Sequence, residues 1–172
     1  MFERIDIDSL ELNPFSTIGT DDFLVTAGDG ESWNTMTAGW GFFGVMWSKP
    51  SFAIVVRDSR HTYGFLERSA GFTASFFPPE YRKALQFCGA HSGRDTDKAA
   101  ATGLTPIVVE GPEGLDLVTF EQANMVFCCS KASRTVLDPS QFIDAGIEKH
   151  YPKKDYHTLY IGYIDQVLVR EE

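Results

Sequence analysis

Asn34-Thr-Met-Thr-Ala38 is flanked by Trp33 and Trp40 and is built of small and β-branched residues, the composition of a strand. Before it, Asp22-Phe-Leu-Val-Thr-Ala27 reads as a strand and Gly28-Asp-Gly30 as a turn. Trp33 to Trp40 is therefore the second strand of a hairpin. After it come Val45-Met-Trp-Ser-Lys-Pro50, then Ala53-Ile-Val-Val-Arg57, then Ser59-Arg-His-Thr62, then Cys88-Gly-Ala-His-Ser-Gly-Arg-Asp95. Ser51 to Val56 is a continuous apolar run, as expected for a strand buried on both faces.

The same reading extends to both ends. Ile5 and Ile7 alternate, and Asn13-Pro14 suggests a turn. Gly71 to Phe77 places Phe72, Ala74 and Phe76 on one side and stops at Pro78-Pro79. Met125 to Cys129 and Leu159 to Val169 are further strands. Helices fill the gaps. Ser59 to Arg68 is one, although Gly64 inside it costs about 1 kcal/mol against Ala. Tyr81, Leu85 and Cys88 share a helical face between Pro79 and Gly89. Asp95 is placed to cap a short helix through Lys98 that ends at Gly103, and Asp138-Pro-Ser-Gln141 has the residues of a helix start. Strands dominate and helices are short. The expectation is a mainly β (α+β) single domain over residues 1–172, a closed or nearly closed barrel with helical excursions. A doubly wound sheet would need regular strand–helix alternation.

The chain of 172 residues carries a formal net charge of -9, which argues against binding nucleic acid or an anionic membrane through a basic face. It does not exclude a small anion held by a few local Arg, Ser, Thr and backbone N–H groups. Three cysteines, Cys88, Cys128 and Cys129, with no signal-peptide pattern, suggest reduced thiols in a cytoplasm. Adjacent Cys128 and Cys129 on a strand point to opposite faces, and no C-x-x-C is present. No apolar run approaches a membrane span. No His pair has metal-ligand spacing. Neither a G-x-G-x-x-G after the first strand, nor a phosphate-binding G-x-x-x-x-G-K-[ST], nor a G-x-S-x-G elbow occurs. Fourteen phenylalanines, with Trp33, Trp40 and Trp47, suit a β-rich core or a flat-ring pocket equally well.

The order and spacing of the segments quoted above resemble the flavin reductase-like family, whose fold is the FMN-binding split barrel, and the flavoredoxin-type members in particular. The similarity is carried by about Asp22 to Pro106 and continues weakly to Asp155-Tyr-His157 and Tyr160-Ile-Gly162. It implies that the segment Asn34–Ala38 lines a flavin and that Arg57–Thr62 takes its phosphate. The carried-over residues are Asn34, Met36, Thr37, Ala38, Trp40, Arg57, Ser59, Arg60 and Thr62, with Arg94 from Ser92-Gly-Arg-Asp95. On residue chemistry alone, Asn34-Thr35 also suits an ordinary hairpin, and Ser59 to Thr62 a solvated helix start. Arg94 and Lys98 suit either a phosphate or nicotinamide contact or a capped surface loop. Met36, Trp40 and Trp47 are candidate ring walls. His157 is a candidate neighbour of the flavin or a packed histidine. The implied activity is hydride transfer from NADH or NADPH to noncovalently bound FMN, with FAD as the alternative flavin. The implied assembly is a homodimer. Electrons would pass to an acceptor or a flavin-dependent oxygenase. The alternatives are a flavoredoxin-like electron carrier without nicotinamide turnover, a non-catalytic flavin or haem binding protein, and a pyridoxamine-phosphate oxidase-like relative. Because the cofactor performs the chemistry, no acid–base pair need be visible.

Overall fold

The computed structural model describes residues 1–171. In chain order it contains β1 (Phe2–Ile5), α1 (Pro14–Gly19), β2 (Phe23–Gly28), β3 (Trp33–Ala38), β4 (Gly41–Met46), β5 (Lys49–Arg57), α2 (His61–Arg68), β6 (Gly71–Phe76), α3 (Arg82–Ala90), α4 (Lys98–Thr102), β7 (Pro106–Glu110), β8 (Asp116–Phe120), β9 (Met125–Val136) and β10 (His157–Arg170), with short 3-10 segments between some of them. Among the described residues no helix is long and apolar enough to cross a membrane.

One antiparallel sheet runs β3-β2-β6-β9-β10-β5-β4, with β1 added to β10, and β7 and β8 form a separate hairpin. The sheet curls into a nearly closed barrel, as expected from the sequence. Phe23 of β2 reaches Phe52 of β5 with ring centroids 5.3 Å apart, and Phe43 of β4 reaches Phe127 of β9 at 4.8 Å. Strands distant in the hydrogen-bonding order thus share one core, in which Phe23, Phe52, Phe72 and Phe127 are fully buried. Most of the phenylalanines serve the core, which decides between the two uses left open by composition.

The β2–β3 hairpin has the register Phe23↔Ala38 to Gly28↔Trp33, and the Asp29 carboxylate closes its turn by accepting from the N–H groups of Glu31 and Ser32. β4 and β5 are joined at Trp47 and Ser48, both with positive φ, the conformation of a tight two-residue hairpin turn. Neither β4 nor the β7–β8 hairpin is among the elements expected from the sequence pattern. Other elements shift from expectation. Asn13 caps α1 through the N–H of Phe15 and so begins a helix, where a turn was expected. Asp97, not Asp95, caps α4, with its carboxylate on the N–H of Ala100, and Gly103 ends that helix in the left-handed region as expected. Asp138 does cap a helical turn, but only a 3-10 turn over Pro139–Gln141. Cys88, Cys128 and Cys129 are free thiols in the interior, and the latter two join different clusters on opposite faces of β9.

Two pairings position the site. β10 lies against β5 with His157 opposite Arg57. β3 and β4 end the sheet order, so the C-terminal end of β3 faces the end of β5 across a seam with no ladder between them.

Candidate functional site

A cavity of about 360 Å³ opens at that seam, within the usual range of small-molecule sites. Its walls are Met36, Thr37, Ala38 and Gly39 from the end of β3, Trp40, Val55 and Arg57 from β5, His157 from β10, with Asp22 and Arg60 at its margins. A second cavity, of about 150 Å³, lies between the start of α2 and the loop after α3. Ser59, Arg60, Thr62, Arg94 and Lys98 line it together with His61 and His91, and no carboxylate is among the described residues that do so. Arg60 borders both cavities. In a chain with 24 acidic and 15 basic residues, a hole lined by three cations without an acid is a local reversal of charge suited to an anion.

Arg60 is the hinge of the arrangement. Its Nη1 donates to the carbonyl of Gly89 at 2.8 Å, one of the carbonyls left open at the end of α3. Its Nη2 is buried and has no partner among the described residues. Burial lowers its pKa, and the nearby Arg57 guanidinium adds to this. Arg60 also stands at the N-cap of α2 without a side-chain cap bond, which leaves the first N–H groups of α2 open.

Lys98 is buried at the back of the smaller cavity. Its Nζ donates to the carbonyls of Thr35 at 2.7 Å and Cys88 at 2.8 Å, and among the described residues no carboxylate pairs with it. Burial, with a contribution from Arg60, brings its pKa down to about 8. His61 is likewise held below its ordinary value, by burial and then by Arg94, Arg68 and Lys98. Arg94 is exposed and reaches the carbonyl of Ser59 at 3.3 Å. Arg57 thus disfavours the charge on Arg60 and Arg60 that on Lys98, and a bound anion would favour both charged forms.

The other sequence candidates take different positions. Asn34 lines neither cavity. Its Nδ2 donates to the Thr62 hydroxyl at 2.7 Å, and a Cβ built on Gly93 would fall 1.9 Å from its Oδ1. Asn34 therefore locks α2 and the Ser92–Arg94 loop against β3, and any side chain at position 93 would have to displace the Asn34 amide. Thr37 lines the larger cavity while its hydroxyl donates to the carbonyl of Leu85, tying β3 to α3. Arg57 borders the larger cavity but is already engaged. It pairs with Asp155 at 2.7 Å, donates to the carbonyl of His150 at 2.9 Å, and lies over the Tyr151 ring at 5.0 Å. Ser59 leans toward Asp155 at 3.4 Å. Trp40 flanks the cavity beside His157, centroid to centroid 5.3 Å, whereas Trp47 sits at the β4–β5 turn against Tyr163 and is no part of the wall.

His157 is buried and its Nδ1 lies 2.7 Å from the Tyr151 hydroxyl. Burial, then the Arg57 charge, pushes its pKa down to about 4 against the opposing pull of Asp155, so the ring is neutral near pH 7. Asp22, the one carboxylate on the larger cavity, is raised above its ordinary value by burial, with Arg82 opposing. Sequence reasoning did not assign Asp22, Val55, Tyr151 or Asp155 to the site. Asp22, Val55 and Asp155 fall inside the quoted segments without being singled out, and Tyr151 left no signal. Among the described residues no group of three metal-ligating side chains occurs.

Solved structures with the same fold include the flavoredoxin of Desulfovibrio vulgaris (Miyazaki F), at 25% identity over 98% of this chain and 78% of that one, with a TM-score of 0.67. The FMN-binding protein of Thermus thermophilus matches at 21% identity over 97% and 81%, with a TM-score of 0.66. The NADH:FAD oxidoreductase of Streptomyces globisporus C-1027 matches at 22% identity over 88% and 75%, with a TM-score of 0.60. No curated protein matches the chain. The family model for the flavin reductase like domain matches residues 15–172, nearly the whole chain, so the protein belongs to the flavin reductase-like family with its split-barrel fold.

Proposed function

We propose that the protein binds FMN noncovalently and is an NAD(P)H-dependent flavin oxidoreductase. The observation that carries this reading is the unpartnered, buried Nη2 of Arg60, set between a ring-sized cavity and a smaller, carboxylate-free cationic one. FMN has that shape and charge: a flat ring at one end and a phosphate dianion at the other. The residues present fit it. Met36, Ala38, Val55 and Trp40 offer apolar and aromatic surface to a ring, and the β3 backbone offers its edge. Arg60, Arg94 and Lys98, with the hydroxyls of Ser59 and Thr62 and the open N–H groups of α2, offer charge-assisted hydrogen bonds to the phosphate.

FMN held there would supply two-electron redox chemistry, with a reduced nicotinamide as the hydride source. The protein's own work is positioning. The walls exclude water, Arg60 fixes the phosphate, and the neutral His157 adds no charge beside the ring. Asp155 neutralises Arg57 at the same rim.

The working unit in this reading is a homodimer. Phe42, Val45 and Trp47 are 58%, 75% and 54% exposed along the edge strand β4 and its turn, and a second copy would cover this apolar edge. Light scattering on the FMN-loaded protein is expected to give twice the chain mass, and a monomer with FMN fully bound would contradict it. The cytoplasm is the proposed compartment, consistent with three free thiols. The electrons pass to a protein acceptor or to a flavin-dependent oxygenase. Mixing the FMN-loaded protein with NADH or NADPH in a stopped-flow instrument tests the reductase activity. Bleaching of the flavin absorbance within seconds by one of them is expected. Retained FMN that neither reduces would leave an electron carrier of the flavoredoxin kind.

A further inference from the structure

At the wall of the larger cavity, His157 at the start of β10 is paired with Tyr151 of the preceding loop, and that hydrogen bond has no part in the reading above. Tyr151 is 4% exposed and His157 is 8% exposed, and the phenol oxygen lies 2.7 Å from Nδ1 of the imidazole. The phenol makes no other hydrogen bond among the described residues. A phenol is a donor with one proton to place, whereas neutral imidazole has one nitrogen that donates and one that accepts. If Nδ1 carried the proton, the phenol oxygen would accept it and its own hydrogen would have no partner in a buried place. If Nδ1 is bare, the phenol donates to it, and both the phenol and Nδ1 are satisfied. Burial raises the pKa of Tyr151 and keeps its proton in place. The ring proton then sits on Nε2, which makes no hydrogen bond among the described residues although the imidazole lines the cavity. The pair is held from outside. Arg57 lies over the Tyr151 ring, bonds the carbonyl of His150 and pairs with Asp155, fixing the loop before and after Tyr151.

We propose that Tyr151 is a positioning residue that locks His157 in its Nε2-protonated form, so that the cavity presents one neutral N–H donor to a carbonyl oxygen at the edge of a bound ring. Two sources supply such an oxygen: the flavin ring itself and the carboxamide of a nicotinamide. The recognition half of the proposal rests on the flavin reading above, and the tautomer half stands without it.

The test starts with flavin-free protein labelled with nitrogen-15 in histidine, with His157 identified by the signal lost in His157→Gln. Long-range proton–nitrogen spectra near pH 7 are expected to show a bare Nδ1 and a protonated Nε2. The opposite tautomer in the unaltered protein would overturn the proposal, and this reading needs no variant to fold and no cofactor. Tyr151→Phe is expected to release the lock and populate both tautomers; an unchanged tautomer would remove Tyr151 from the role. In the same variant a donor tautomer populated about half of the time weakens its hydrogen-bonded ligand about twofold. A loss of that size in FMN affinity assigns the oxygen to the flavin ring. A rise of that size in KM for the nicotinamide at constant FMN affinity, with kcat little changed, assigns it to the carboxamide. A released tautomer with neither effect would overturn the donor role.

Discussion

Replacing Arg60 by alanine removes two things whose energies separate. One is the Nη1 bond to the carbonyl of Gly89 at 2.8 Å, which joins the start of α2 to the end of α3. Its loss costs about 0.5–1.5 kcal/mol of stability. For a chain of this length that lowers the Tm of the flavin-free protein by roughly 1–6 °C. The other is Nη2, buried and without a partner, which is free to form a charge-assisted bond to a phosphate. Such a bond contributes about 1.5–3 kcal/mol, so FMN affinity should fall by roughly ten- to a hundredfold. Riboflavin has the same ring and no phosphate. The assay is therefore a paired titration of FMN and riboflavin into flavin-free protein, wild type and Arg60→Ala, with thermal melts as the fold control. The expected result is a large loss for FMN and a small one for riboflavin. Arg60→Lys should fall between, because an ammonium keeps the charge but cannot fork between Gly89 and a phosphate. Equal losses for both flavins would mean that Arg60 holds the ring or the fold, and no loss for either would mean a solvated helix start.

Other outcomes follow from the same geometry. Lys98 titrates at about 8 in the flavin-free protein because burial depresses it, and a phosphate favours its charged form. FMN affinity should therefore decline as the pH rises through 8, with proton uptake on binding, while riboflavin stays flat; calorimetry in buffers of different ionisation enthalpy counts the protons. Gly93→Ala would place a Cβ 1.9 Å from Asn34 Oδ1 and displace the bond to Thr62. The expected cost is about 1–3 kcal/mol in denaturant unfolding, with weaker FMN binding. Arg57→Ala should speed amide exchange across His150–His157 and raise the His157 pKa, since the Arg57 charge helps to depress it. Its ratio of FMN to riboflavin affinity should hardly move, and a selective loss of FMN would restore Arg57 to the phosphate.

Pattern made some elements legible and not others. The β2–β3 hairpin, β5 and β6 show apolar runs or alternation bounded by Gly, Pro and Asp, and they fold where the sequence places them. β4 is hidden because Phe43 points inward between Gly41 and Gly44, while Phe42 and Val45 are exposed, so its apolar residues fall on both faces. The β7–β8 hairpin is disguised by Pro106 at its start and Gly111-Pro-Glu-Gly114 at its turn, with Val108 exposed. The cationic cavity was legible from Ser59–Thr62 and Ser92–Asp95, since side chains suited to a phosphate are crowded there. The diversion of Arg57 to Asp155, the inward turn of Asn34 and the Tyr151–His157 pair were not. Each depends on where a loop closes or which strand lies opposite, and local sequence does not encode those distances.

The most direct test of the central claim is the absorption spectrum of the purified protein, followed by identification of the flavin released on denaturation. A yellow protein that releases FMN, or a flavin-free one that regains the spectrum when FMN is added, is the predicted result. A colourless protein that takes up neither FMN nor FAD on titration would contradict the account.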